Sequence, residues 1–296
     1  MDRATGNTTG LGWGLVGVVG FSLTLPMTRM AVPWLGATEV GWGRTVVAAL
    51  VASAILIFRR DRFPRAHGRA LFWVVAGVVL GFPLLSAWAM ARVPASHGAV
   101  MLALLPLATA GAGVWRARER PSLRFWAASG MGASVTVAYA LAGGGGHLVG
   151  ADAALLAAVA LAALGYGEGG RLAVTLGGWR VICWALVLSL PVTLGPVTWQ
   201  AARVPWGQVP IQAWVGFLYV ALGSQLTAFF AWYRGLAVGG IARVSQLQYL
   251  QVFLTLAWSA WWLHERVTWL DAGAASLVVA AVMWGKGAVI TKRPIP

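Results

Sequence analysis

The stretch Trp261–Trp269, WWLHERVTW, decides the fold. An apolar run closes there on His264, Glu265 and Arg266, and apolar residues resume at once. The chain has already written this ending. WRARERPSLRFW begins at Trp115, and at an offset of 146 residues Glu119 maps onto Glu265 and Arg120 onto Arg266. Leu104, Thr109 and Trp115 find Leu250, Thr255 and Trp261 at the same offset. Upstream, GWGR ending at Arg44 resembles GGWR ending at Arg180 at an offset of 136, and RMAV from Arg29 resembles RLAV from Arg171 at 142. A drifting offset is what an old duplication with small insertions leaves behind.

What the repeated unit is follows from composition. Of 296 residues, 59% are hydrophobic and only 10% charged, with a mean hydropathy of +0.75. A soluble domain carries about 25% charged residues, so this chain cannot cover a water-facing surface and its solvent is the lipid bilayer. The net charge of +14 does not point to a nucleic-acid partner, because the arginines lie scattered between apolar runs and form no basic stripe. The single Cys183 excludes an intrachain disulfide and any cysteine-based zinc site. The start, MDRATGNTTG, leads into a run from Leu11 long enough to span, and reads as a retained first helix, not a cleaved signal.

About 20 mainly apolar residues carry a helix across the hydrocarbon core. The runs predict ten such helices, at 11–30, 37–58, 70–91, 96–115, 123–141, 153–173, 179–199, 211–233, 241–263 and 267–289. With ten crossings both termini share a side. Of the 22 lysines and arginines, 17 fall on that side, including Arg59, Arg60, Arg62, Arg65 and Arg69, and five (Arg29, Arg44, Arg92, Arg203, Arg266) on the other. The positive-inside bias therefore predicts a multi-pass inner (plasma) membrane protein with both termini cytoplasmic. Five helices per half is an odd number, so the second half enters from the opposite face. The expected fold is all-α and integral to the membrane: two inverted five-helix repeats, 11–143 and 152–290, around a central cavity.

This constellation resembles the drug/metabolite transporter superfamily, in its ten-helix EamA-type group: two five-helix halves, each with an arginine early in its second helix (Arg44, Arg180) and a Glu-Arg after its fourth. It is most similar there to the YddG-type exporters of aromatic amino acids. The resemblance implies a basket with a cavity lined mainly by helices 1, 3, 4, 6, 8 and 9, helices 5 and 10 lying outside, and export as the direction of transport. One departure is Pro106 in helix 4, where Val252 stands at offset 146, so the halves need not bend alike.

Candidate substrate-binding residues begin on helix 9. Ser245, Gln248 and Tyr249 share one face, with Gln246 and Gln251 at its sides. Polar groups in hydrocarbon mark either a pathway or a tie between helices. Helix 4 offers His97, a substrate ligand or an interfacial histidine, and Met101, an adaptable apolar wall. Glu168 reads as the one carboxylate well inside a span, either a proton or amine carrier or an i, i+3 partner of Arg171. Tyr166 beside it is placed to stack on an aromatic substrate. Gln225 on helix 8 and Trp88 on helix 3 complete the set, and Pro26 is the expected hinge of helix 1. Arg44 and Arg180 are expected to cap or pair with loop carbonyls, and the two Glu-Arg pairs to stop helices 4 and 9 at opposite faces.

No nucleotide-binding GxxxxGK[ST] and no HExxH appear, and no histidine pair suits a metal. The chain is therefore expected to be no enzyme and to need no cofactor or metal, its partners being a small-molecule substrate and lipid. Two rivals stand beside an aromatic amino-acid exporter. One is a broad drug or cation exporter coupled to protons, which needs an anionic site. The other is a membrane-embedded lipid-modifying enzyme, which needs a polar cluster at one face. Neither proton coupling nor oligomeric state is legible.

Overall fold

Gly36 stands at φ 82°, ψ 161°, a conformation that L side chains avoid, and there an otherwise continuous helical run from Thr8 to Phe58 turns back on itself. The computed structural model describes residues 3–117, 119–120, 123–143, 149–286 and 291–292. Arg118, Arg293, residues 144–146 of the glycine connector and the expected end of the last helix (287–290) lie outside them. The described residues form ten helices: helix 1 (3–35), helix 2 (37–58), helix 3 (65–90), helix 4 (95–117), helix 5 (Leu123–Gly143), helix 6 (Gly150–Leu176), helix 7 (Gly178–Ala201), helix 8 (211–239), helix 9 (241–262) and helix 10 (Trp269–Lys286). The non-helical exception is a two-residue antiparallel ladder pairing Glu119–Arg120 with Thr291–Lys292. Helix 1 begins at Arg3 rather than at the expected Leu11.

Gly177, at φ 84°, makes the same turn between helices 6 and 7 that Gly36 makes between helices 1 and 2. The pairing of helices repeats as well. Helix 1 packs along helix 8 as helix 6 packs along helix 3; helix 1 touches helix 9 as helix 6 touches helix 4; helices 2 and 7, 4 and 9, and 5 and 10 pair with their own counterparts. Exchanging the halves leaves this pattern unchanged, as a duplicated unit folded against its copy requires.

Small residues set the closeness of the two long pairings. A Cβ on Gly10 would lie 2.4 Å from the Gly239 Cα, one on Gly235 2.7 Å from the Gly14 nitrogen, and one on Gly17 2.9 Å from the Trp232 Cβ. On the other side, GVVLG (Gly77 to Gly81) does the same work, since a Cβ on Gly77 would meet the Leu161 carbonyl at 2.4 Å. Lipid tails are as apolar as leucine, so association in the membrane relies on such backbone contact. The interiors of helices 3 and 8 also share wide π-helical turns, Val75–Gly81 and Tyr219–Ala228, with a third at Glu39–Gly43.

Gly235→Leu should therefore pry helices 1 and 8 apart and cost about 3 kcal/mol, the upper range for overpacking. Gly273→Leu, where nothing lies within 4 Å, should leave thermal unfolding of the purified protein unchanged.

Candidate functional site

Pro26 has no N–H to give the Ser22 carbonyl, and helix 1 is interrupted at Leu23, between Arg3–Ser22 and Thr24–Thr38. The freed carbonyl accepts the Thr255 hydroxyl of helix 9 at 2.8 Å, and Trp258 Nε1 donates to the Ser22 hydroxyl at 3.0 Å. The break is thereby bonded to the fourth helix of the other half. Beside it, Thr24 and Ser224 share a hydrogen bond of 2.7 Å, and the Tyr219 hydroxyl donates to the Gly20 carbonyl at 2.8 Å. The π-helical turn of helix 3 is answered in the same way. Its Val78, Val79 and Leu80 carbonyls accept Gln225 Nε2 at 3.0 Å, Thr45 Oγ1 at 3.0 Å and Trp42 Nε1 at 3.1 Å. A π turn swings carbonyls out of the regular ladder, and side chains from helices 8 and 2 take them.

Between these ties lie two small cavities of about 10 Å³ each, room for roughly one water. One is bounded by Ala99, Leu102, Gln248 and Thr255, the other by Phe21, Tyr166, Ser224 and Gln225, and Gln251 belongs to both. Around them are buried polar atoms with no hydrogen-bond partner among the described residues: both amide atoms of Gln248, Oε1 of Gln251, the Tyr249 hydroxyl and the Ser259 hydroxyl. Each such group costs about 1–3 kcal/mol. Small-molecule sites measure about 300–1,000 Å³, so this conformation is closed around its own polar face. Tyr166, Phe21, Phe229 and Trp232 form an aromatic cluster alongside, with Tyr166 ring centroids 6.1, 5.9 and 5.6 Å from those of the other three.

Arg44 corrects an expectation. It does not cap a helix or pair with loop carbonyls: it is 0% exposed, and Nε, Nη1 and Nη2 have no hydrogen-bond partner among the described residues. Tyr166 is its electrostatic neighbour. Glu39, five residues before it on the π-helical turn, is also buried, with Oε1 unpartnered. Arg180, its supposed counterpart, instead pairs with Asp61: Nη2 donates at 3.1 Å, Nε lies 2.7 Å from the other carboxylate oxygen, and Trp184 Nε1 donates a second hydrogen bond at 2.9 Å. Asp61 lies beyond the end of helix 2, within reach of helix 7.

The other candidates separate into groups. Gln248, Gln225 and Tyr166 meet at the cavities, although Gln225 already spends its amide nitrogen on Val78. Ser245, Tyr249 and Met101 are buried near them, and Gln246 is half-buried. Glu168 is bonded to Arg171 through Nε at 3.1 Å and Nη2 at 2.9 Å. Glu39, Asp152 and Asp271 are buried as well, each within the first three residues of its helix or helical turn. His97 and Trp88 lie away from the cavities, toward the end opposite the arginine-rich one. His97 Nε2 is 2.6 Å from Asp152 Oδ1, and Trp88 packs on Gly150 under Arg92.

That end holds a set of residues that sequence reasoning passed over. Glu265 accepts the Ala95 and Ser96 backbone N–H groups at 2.9 Å each, so it caps helix 4, across the molecule from its own helix. The left-handed φ of 54° at His264 turns the chain toward it. Asp152 takes the Val149 N–H at 3.0 Å as well as His97, and Asp271 takes the Thr268 N–H at 2.6 Å and the Tyr139 hydroxyl at 2.5 Å. Three carboxylates of the second half thus bond first-half groups. In the first half, the backbone of Glu119 pairs with Lys292 in the short ladder. Acids three residues into helices 6 and 10 have the spacing of N-terminal caps, a signal the sequence did carry.

Residues 8–139 and 149–285 each match the EamA-like transporter family. The chain is 43% identical over 279 residues to the "Uncharacterized transporter YdeK" of Bacillus subtilis (strain 168), covering 93% of this chain and 97% of that one. A crystal structure 17% identical superposes with a TM-score of 0.64 over 97% of this chain and 99% of its own, a likeness of fold alone.

The bond across the Pro26 break is open to a double-mutant cycle. Thr255→Val should cost about 1–2 kcal/mol by leaving the Ser22 carbonyl unpaired. In a Pro26→Ala background, where residue 26 again offers an N–H, the same change should cost clearly less, as read by thermal unfolding.

Proposed function

This chain belongs to the EamA-like transporter family, and on that premise we propose that it exports small amphipathic metabolites, aromatic amino acids first among them, by alternating access. It is a multi-pass membrane transporter and not an enzyme, with a small-molecule substrate and bilayer lipid as its partners. The observation that carries the substrate reading is the unpartnered Gln248 and Gln251 beside the aromatic cluster of Tyr166, Phe21, Phe229 and Trp232. Amide groups suit the polar end of an amphipathic solute and the rings its apolar end. The buried guanidinium of Arg44 supports a carboxylate on that solute, which it would bind as a charge-assisted pair.

The moving units are the halves 11–143 and 152–290, hinged at Pro26. The three carboxylate ties close one end, and Asp61 with Arg180 closes the other. The positive-inside bias puts the arginine-rich end, and both termini, in the cytoplasm of an inner-membrane protein. Glu168 is engaged by Arg171, which favours downhill export over proton antiport through that residue. A second reading, a cation exporter, has one observation behind it: the buried carboxylate of Glu39.

Proteoliposome uptake of radiolabelled tryptophan, phenylalanine and threonine, with and without a pH gradient, tests this. We expect saturable aromatic uptake without the gradient, a KM raised about tenfold in Gln251→Ala, equivalent to ~1.4 kcal/mol, and loss of uptake in Arg44→Gln. Absence of amino-acid flux under both conditions would overturn the aromatic reading. Cation efflux that disappears in Glu39→Gln would establish the second one. For the gate, Glu265→Gln with Asp152→Asn should raise labelling of a cysteine placed at Ser96 by an impermeant maleimide, in a Cys183→Ser background.

A further inference from the structure

A cavity of about 1080 Å³ lies away from the polar centre. It is a lateral crevice at the arginine-rich end, between helices 1 and 2 of the first half and helices 6, 7 and 8 of the second, and it shares no lining residue with the two small cavities around Gln251. We propose that this crevice binds an anionic diacyl phospholipid, with its phosphate held by Arg59 and Arg234 and an acyl chain along helix 2.

Three observations fit this occupant. The walls are apolar and face outward: Val51, Ile55 and Phe58 on one side, Phe230 and Val238 on the other, with Phe58 86% and Val238 42% exposed. From Phe58 to Val51 the groove follows seven helical residues, roughly 10 Å, a length suited to the upper methylenes of an acyl chain. At its mouth stand two cations. Arg59 lies 6.0 Å from the Trp179 ring and Arg234 4.5 Å from the Trp13 ring. No carboxylate pairs with either arginine among the described residues, and the nearby Asp61 is already engaged by Arg180 and Trp184. Guanidinium groups bind phosphate oxygens in a fixed fork, and basic pockets between membrane helices suit anionic headgroups. Each arginine–tryptophan contact joins one half to the other, as Trp13 and Arg59 belong to the first and Trp179 and Arg234 to the second. A lipid seated there touches both halves and would stabilise the closed arrangement at that end. The proposal does not depend on which solute is transported.

The test is native mass spectrometry and thermal unfolding of the purified full chain in a delipidating detergent, titrated with phosphatidylglycerol, phosphatidylcholine or inorganic phosphate. The expected result is a retained phosphatidylglycerol adduct that raises Tm, with phosphatidylcholine at least tenfold weaker and phosphate alone without effect. Arg59→Gln with Arg234→Gln should weaken the adduct at least tenfold. Arg92→Gln with Arg203→Gln, exposed arginines stacked on Trp88 and Trp199 toward the other end, should not. Val238→Trp, which fills the groove and keeps both arginines, should also lose the adduct, and it decides the matter if the arginine pair fails to fold. Equal binding of the two lipids, undiminished binding in the groove-filled variant, or an equal loss in the Arg92 and Arg203 control would overturn the proposal. Stabilisation by phosphate alone would reassign the arginines to a free anion.

Discussion

Every backbone N–H and C=O in the hydrocarbon core must find a partner inside the protein, because no water is there to supply one. The interior of this molecule follows from how that demand is met where helices are irregular. Pro26 deprives one carbonyl of its donor, and Thr255 replaces it from another helix. The wide turn of helix 3 releases three carbonyls, and Gln225, Thr45 and Trp42 cover them. At the Pro26 break and at Gln225 the irregularities also join the two halves by hydrogen bonds, and glycine contacts hold the long helix pairs between them. A regular ten-helix bundle would have no such joints, and its helices would be held by packing alone.

This explains what the sequence disclosed and what it withheld. Helix existence and the duplicated plan were legible because hydropathy and the recurrence of WRARER in WWLHER are local in the chain. The Glu-Arg echo was legible as a repeat, and the partner of Glu265 was not. Glu265 caps helix 4 by reaching 170 residues back to Ala95, a partnership that no local pattern encodes. Arg44 and Arg180 look alike in GWGR and GGWR, yet one meets Asp61 and the other meets nothing among the described residues. The difference lies in which loop stands opposite, and that is tertiary. Gly36 and Gly177 were hidden for another reason: among 38 glycines, those with positive φ carry no mark of their own.

The two ends of the molecule are closed by different chemistry. At one, acids of the second half double as helix caps, so their charge sits on helix N-termini, where the aligned peptide dipoles favour it. Breaking such a tie exposes N–H groups that water at the membrane surface can satisfy. At the other, Arg180 and Asp61 form one ion pair beside a lipid-facing crevice. A capped helix end and a single ion pair respond to different perturbations, and on the proposed alternating-access reading two gates that open in turn would use that difference.

The polar centre is the reverse case. Gln248, Gln251, Arg44 and Glu39 are buried without the partners that the irregular backbone has in full. A fold that covers the carbonyls freed at the Pro26 break and the helix 3 turn and leaves a guanidinium bare is not short of hydrogen-bonding side chains; these groups are withheld from one another by geometry. Their desolvation raises the free energy of the closed conformation, several kcal/mol per unpaired ion by the usual measure. On the proposed reading, a solute with a carboxylate and an aromatic ring removes that penalty while it is bound and restores it on leaving. On that reading the unpaired groups that would make the centre selective also set the cost of closing it, and a transporter that moved its substrate downhill would need no other source of energy to reopen.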